Sequence, residues 1–211
     1  MKALKAVIGI AIPYNHPSVD TDQLMPARYL MKPRAYDYGK LLFHDLRFGA
    51  HAVPNFPLDD PAYKGARIIV TGPNFGCGSA REQAVYGLKD FGILALVGPS
   101  FGDIFRTNCV KNGILAAQLD LDLTQRLAAT LRSSPGAHLN LDLVQKKITR
   151  EDGTTFSFEV RDADRDYLLM GKDDITRTLE HEHAILEFER NYFVKNRWNP
   201  ASNASADGRK I

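Results

Sequence analysis

The chain has 211 residues, 44% of them hydrophobic, with 27 Lys and Arg against 25 Asp and Glu for a formal net charge of +2. That is the composition of a soluble globular protein of about one domain, long enough to build a core without metal or disulfide staples. Balanced charge argues against nucleic acid or an anionic membrane surface as partners. The two cysteines, Cys77 and Cys109, supply neither a disulfide framework nor the ligand set of an iron–sulfur cluster.

Ala3–Pro13 is rich in Ala, Val and Ile and reads as a buried first strand. Pro13 ends the apolar stretch after about eight residues and no small-residue cleavage site follows, so this is not a signal peptide. No run approaches the ~20 apolar residues of a membrane span. The expected location is the cytoplasm. Asn15–Pro33 holds three prolines and the Asp20-Thr21-Asp22 turn, which predicts a long loop of the kind that carries function. Tyr38–Phe48 reads as a short helix, and His51–Lys64 is rich in Pro and Asp.

The middle of the chain alternates: a strand at Arg67–Thr71, a helix at Ser79–Phe91, a strand at Ile93–Val97, and a helix at Phe101–Asn112 that stops at Gly113. Such interleaving predicts βαβ units and a parallel sheet. Ser79-Ala-Arg-Glu82 and Ser100-Phe-Gly-Asp103 both fit a capping pattern. Beyond residue 124 the spacing predicts a helix over Leu123–Arg132, a hairpin of Leu139–Thr149 and Thr154–Val160 turning at Glu151-Asp-Gly153, and helix over Asp173–Val194. Residues 1–198 are expected to form one domain, and the polar residues 199–211 a disordered tail.

The chemistry concentrates in Asn74-Phe-Gly-Cys-Gly-Ser-Ala-Arg-Glu-Gln83, after the strand. It lacks the third glycine of a Rossmann fingerprint, where Arg81 stands, and the Gly-Lys-Ser/Thr ending of a P-loop. It is no nucleophile elbow either, because Ser79 follows Gly78 directly and no glycine stands two places later. As local structure, Ser79 caps the helix and Glu82 closes a capping box. The same start offers unpaired N–H groups and the positive end of the helix dipole, and Arg81 adds a guanidinium shaped for a carboxylate. The loop thus reads as a carboxylate cup with a hydroxyl at its rim. Cys77 is an alternative nucleophile, since a helix N-terminus lowers a thiol pKa.

These residues carry a family resemblance. Asn74–Gln83, with Pro99-Ser-Phe-Gly-Asp-Ile-Phe-Arg-Thr-Asn108 and Lys111-Asn-Gly113, resembles the small subunit of 3-isopropylmalate dehydratase, of the aconitase superfamily. Asp20-Thr-Asp-Gln-Leu-Met-Pro-Ala-Arg-Tyr-Leu30, Leu42-Phe-His-Asp-Leu-Arg-Phe48 and Leu168-Leu-Met-Gly-Lys-Asp-Asp-Ile175 with Thr178-Leu-Glu-His181 fit further motifs. The resemblance runs from about residue 5 to 190.

The resemblance implies an α/β fold, a swivelling β/β/α domain like the mobile C-terminal domain of aconitase, with helices around a mostly parallel sheet. It implies a heteromeric hydro-lyase of leucine biosynthesis that interconverts 2-isopropylmalate and 3-isopropylmalate, active only with a large subunit. That partner would hold a [4Fe–4S] cluster acting as Lewis acid on the leaving hydroxyl, and none would be bound by this chain. Ser79 would be the general base and Arg81 the carboxylate anchor, with Gly78 and Ala80 in the substrate-binding loop. Ala80 and Gln83 depart from the family's Gly-Ser-Ser-Arg-Glu-His. Tyr29, Leu30, Met31 and Lys32 resemble the specificity loop: apolar Met31 favours the alkyl group of isopropylmalate. Lys32 next to it could pair with an extra carboxylate, and a related dehydratase acting on homoaconitate, citraconate or a substituted malate is the alternative. A module that merely binds an anion through the same loop is the non-catalytic alternative. His181-Glu-His183 does not have the spacing of a helical metal pair and is expected on a solvated surface. His44 and Asp45 are expected to be structural, Asp20 and Asp22 to be turn formers, and Cys109 to lie in the core.

Overall fold

The computed structural model describes residues 2–49, 52–79 and 81–196. The expectations for Ala80 and for the tail at 199–211 fall outside them. The chain divides into two compact units, Met1–Gly171 and Lys172–Ile211.

In the first unit, strand β1 (Ala6–Tyr14) is shared between two halves of one sheet. Its residues 11–14 pair in parallel with β2 (Ile68–Thr71), while residues 6–10 pair antiparallel with β5 (His138–Asp142). The parallel half continues through β3 (Ala95–Gly98) to β4 (Leu115–Gln118). The antiparallel half continues through β6 (Lys147–Arg150) to β7 (Thr155–Ser157). The α/β class read from the sequence is the class observed, with β1–β4 as the parallel part and the C-terminal hairpins extending it from the other edge of β1.

Both faces of the parallel half are buried, and the two-residue repeat of a strand sorts its side chains between them. Ile12, Tyr14, Ile69 and Leu96 join one core with Phe75, Phe105 and Cys109. Ala11, Ile68, Val70, Ala95 and Val97 join the other with Leu115 and Leu141. Helix α3 (Glu82–Phe91) covers the first core with Ala84, Val85 and Leu88, as do the short α1 (Thr21–Leu24) and the segment around Phe43. Helix α4 (Asp103–Lys111) places Phe105 and Cys109 there too. Helices α5 (Leu121–Ser133) and α6 (Asp162–Met170) cover the opposite core through Leu127, Leu131, Tyr167 and Leu168.

Several boundaries differ from the sequence reading. The long loop at 15–33 contains α1, capped by the Asp20 carboxylate accepting from Gln23 N at 2.8 Å. The helix expected over Tyr38–Phe48 is a 3-10 turn at Tyr38–Leu41 and a one-turn helix α2 (His44–Arg47), separated where Phe43 adopts a left-handed φ of 53°. The single hairpin after residue 139 is two hairpins, because the chain also turns between β5 and β6. Helix α6 had no counterpart in the sequence reading. In the second unit, the helix expected over Asp173–Val194 is α7 (Asp174–Leu179) and α8 (Glu182–Lys195), with His181 and His183 exposed as expected.

Candidate active site

The carboxyl ends of β1, β2 and β3 release three loops that are bonded to one another. Open parallel sheets bind ligands at this edge. Gly76 N donates to Val19 O at 2.7 Å, Thr21 N to Cys77 O at 2.9 Å, and Thr21 Oγ1 to Ser79 O at 2.9 Å. On the other side Phe75 N donates to Ser100 O at 3.2 Å, Gly102 N to Phe75 O at 3.0 Å, and Asn74 N to Ser100 Oγ at 2.8 Å. The Asn74–Ser79 loop therefore runs as an extra short strand between two others, and its backbone is held before any ligand arrives.

Two glycines shape it. Gly76 and Gly78 have φ of +73° and +88°, which side chains with a Cβ rarely adopt. At Gly76 an added Cβ would lie 2.2 Å from the Phe105 ring, whereas at Gly78 the nearest atom would be 3.4 Å away. Gly78 is thus needed for the bend alone, and Gly76 for the bend and for packing.

The sequence placed Ser79 as the cap of the following helix; the structure corrects this. Helix α3 starts at Glu82, its cap is Arg81 with extended backbone, and no side chain closes that end. The Ser79 carbonyl is engaged by the Thr21 hydroxyl instead of starting the helix ladder, and the Glu82 carboxylate accepts from Asn112 Nδ2 at 2.9 Å instead of reaching back. The second capping pattern fails alike: α4 starts at Asp103, capped by Gly102 without a side-chain bond, while Ser100 Oγ serves Asn74. Both serines are released from capping. Ser79 lies exposed, three residues before the unfilled N-terminus of α3.

Arg81 is paired with Asp22, its side chain only 18% exposed against 54% for the aspartate. Sequence reasoning assigned Asp22 to a turn because its partner is 59 residues away. It also passed over the buried Thr21, whose two bonds tie the loop down. The signal available was the Asp20-Thr21-Asp22 motif, one residue each for capping α1, holding the loop and holding Arg81.

Tyr29–Lys32 lies beside the first turn of α3, where Gln83 Nε2 reaches Leu30 O at 3.5 Å. The segment is fixed at its flanks. Tyr38 Oη donates to Lys32 O at 2.6 Å, Arg34 forms a two-pronged pair with Asp90 at 2.9 Å, and the Tyr29 hydroxyl meets the His44 ring at 3.1 Å. Arg28 pairs with Asp45 beside them, and its guanidinium holds that carboxyl down at about 2. Leu30 packs on the core, Met31 is 94% exposed, and the Lys32 ammonium lies 5.3 Å from the Tyr36 ring centre. Of the expected site residues, Gly78, Ser79, Arg81 and Leu30 share one neighbourhood through Thr21, Asp22 and Gln83, while Met31 projects into solvent.

The chain's own donors do not fit an iron–sulfur cluster. Cys109 is fully buried in the core and burial pushes its thiol pKa up, leaving Cys77 alone near the loop. Among the described residues no three His, Cys, Asp or Glu side chains group around a common point.

Comparison with known proteins converges on one family. A family model described as the aconitase C-terminal domain matches residues 1–121, and one described as LeuD_N matches residues 125–162. The 3-isopropylmalate dehydratase small subunit of Psychromonas ingrahamii is 42% identical over 192 residues, covering 90% of this chain and 94% of its own. That of Koribacter versatilis is 40% identical, covering 90% and 98%. A crystal structure of 3-isopropylmalate dehydratase from Methanocaldococcus jannaschii superposes with a TM-score of 0.62 at 26% identity, covering 87% of this chain and 99% of that one. A loop laced between the carboxyl ends of three strands, on an aconitase-type domain and with relatives of nearly equal length, leads to one conclusion: this chain belongs to the family of 3-isopropylmalate dehydratase small subunits.

Proposed function

We propose that the chain is the small subunit of a cytoplasmic hydro-lyase that interconverts 2-isopropylmalate and 3-isopropylmalate by removing water and adding it back on the neighbouring carbon. Ser79 takes and returns the carbon-bound proton, and Arg81 holds a substrate carboxylate. The observation that supports this is an exposed Ser79 three residues ahead of the uncapped N-terminus of α3, with the Arg81 guanidinium at that N-terminus set by Asp22. A serine is a base only where its alkoxide is stabilised, and N–H donors and a cation are the groups that do so. Met31 offers its apolar surface to the alkyl branch. The [4Fe–4S] cluster belongs to the large subunit, and the exposed loop is open to be completed by that partner.

The reading is tested by reconstitution with a large subunit from a relative. The chain alone is inactive, the mixture turns over isopropylmalate, and Ser79→Ala lowers kcat by about 10²–10⁴-fold, the range expected for removal of a general base, with the complex still forming. Turnover near the wild-type rate in Ser79→Ala would remove the serine from the chemistry.

Lys32 favours a second reading. It is exposed beside Met31, and an ammonium there suits an additional carboxylate, as in homoaconitate. A substrate panel on the same complex distinguishes the two.

A further inference from the structure

Among the described residues, Thr21, Thr71 and Thr124 have their side chains buried. A valine would fill nearly the same space with no polar atom to satisfy, so a buried hydroxyl is accounted for by the bond it makes. Thr124 Oγ1 donates to Asp120 O at 2.8 Å, at the start of its own helix, and Thr71 Oγ1 to Val97 O at 3.3 Å on the neighbouring strand. Both bonds serve the fold. Thr21 differs: its hydroxyl reaches the carbonyl of the exposed Ser79, 58 residues along the chain.

Thr21 opens α1, so its backbone is set by that turn, with Met25 N donating to Thr21 O at 2.8 Å. From this fixed position Thr21 N donates to Cys77 O and Thr21 Oγ1 to Ser79 O, each at 2.9 Å. The two acceptors bracket the Gly78-Ser79 pair. Both residues of that pair are exposed, and an added Cβ at Gly78 would meet nothing closer than 3.4 Å, so packing leaves the glycine room. Glycine also has the widest backbone freedom of any residue. Helix α3 does not begin until Glu82. The bond to the Ser79 carbonyl therefore closes the far side of a pair that is otherwise tethered through Cys77 alone.

We infer that Thr21 is a positioning residue for the reaction, its hydroxyl holding the Ser79 backbone so that the serine side chain stands in one fixed place ahead of α3. This rests on the reading of Ser79 as the base. Thr21 is 1% exposed, so it acts through Ser79 and not by touching substrate. A reacting group displaced by about 1 Å loses rate on the order of 10²-fold. Fold stability, in contrast, changes only by the small net contribution of one hydrogen bond. The rate is thus the sensitive reporter of this contact.

The test uses the chain reconstituted with a relative's large subunit, with enzyme in excess over isopropylmalate where variants are slow. Thr21→Val keeps the shape and the backbone bond to Cys77 and removes the hydroxyl. It is expected to lower kcat about tenfold or more while KM changes less than about twofold. Thr21→Ser keeps the donor and should return kcat to within about threefold of wild type. In the Ser79→Ala background Thr21→Val should bring no further loss, because its effect passes through the serine side chain. Thr21→Ala takes the place of the valine variant if that chain does not fold. The inference is overturned by wild-type kcat in Thr21→Val, or by Thr21→Ser as slow as Thr21→Val. Equal losses with and without the Ser79 hydroxyl would also overturn it, since they mark a purely structural role. Near-wild-type turnover of Ser79→Ala removes the base assignment and this inference with it, whereas an inactive Ser79→Ala beside a fully active Thr21→Val removes this inference alone.

Discussion

At the scale of single residues, the proposed site is a division of labour around Arg81. Its guanidinium is set by Asp22 and shielded enough that its charge is not dispersed in water. A lysine in its place keeps the charge but loses the planar fork that pairs with Asp22 and that the proposal assigns to a substrate carboxylate. Arg81→Lys in the reconstituted enzyme is therefore expected to raise KM roughly tenfold with a smaller change in kcat. Steady-state kinetics decide this, and an unchanged KM would show that the substrate carboxylate is held elsewhere. The candidate site was only half legible in the sequence. Ser79 and Arg81 stood out because a serine, an arginine and two glycines cluster after a strand. Asp22 and Thr21 did not, because their roles depend on a loop almost sixty residues away that folds back beside them.

At the scale of elements, the glycines set how closely α4 approaches the Asn74–Ser79 loop. Gly102 has an ordinary φ of −58°, so alanine would be conformationally acceptable there, but its Cβ would meet the Gly76 carbonyl oxygen at 2.5 Å and its carbon at 3.1 Å. Backbone cannot yield as a flexible side chain does. Gly102→Ala is expected to destabilise the chain by about 1–3 kcal/mol, the range of overpacked sites, seen as a lowered denaturant midpoint. A midpoint equal to the wild type would mean that the two loops separate easily. The same packing explains why the helix starts were misread. Ser-x-x-acid is a valid local capping signal, yet Ser79 and Ser100 each gained a tertiary partner, and the helices began three residues later.

At the scale of the whole molecule, the sheet arranges the two cysteines oppositely. Cys109 is sealed in the core between α4 and the sheet, where burial disfavours its thiolate, while Cys77 stands half-exposed in the loop. Alkylation proceeds through an accessible thiolate, so iodoacetamide at neutral pH is expected to add one group to the native chain, at Cys77, and two after denaturation. Mass spectrometry counts them, and a second native adduct at Cys109 would show that the core opens readily. The alternation of strands and helices between residues 67 and 113 was readable directly, because apolar runs of strand length and helices closed by glycine are local signals. So were the motifs that carry the family. Tertiary structure alone decided that β1 would serve two partners, pairing in parallel through one half and antiparallel through the other. It also decided that Thr21 would hold the Ser79 carbonyl and that Asp22 would pair with Arg81. The physical reason is the range of each interaction. Periodicity and turn chemistry are written within a few residues, whereas hydrogen-bond partners and cavities exist only after distant segments have been brought together.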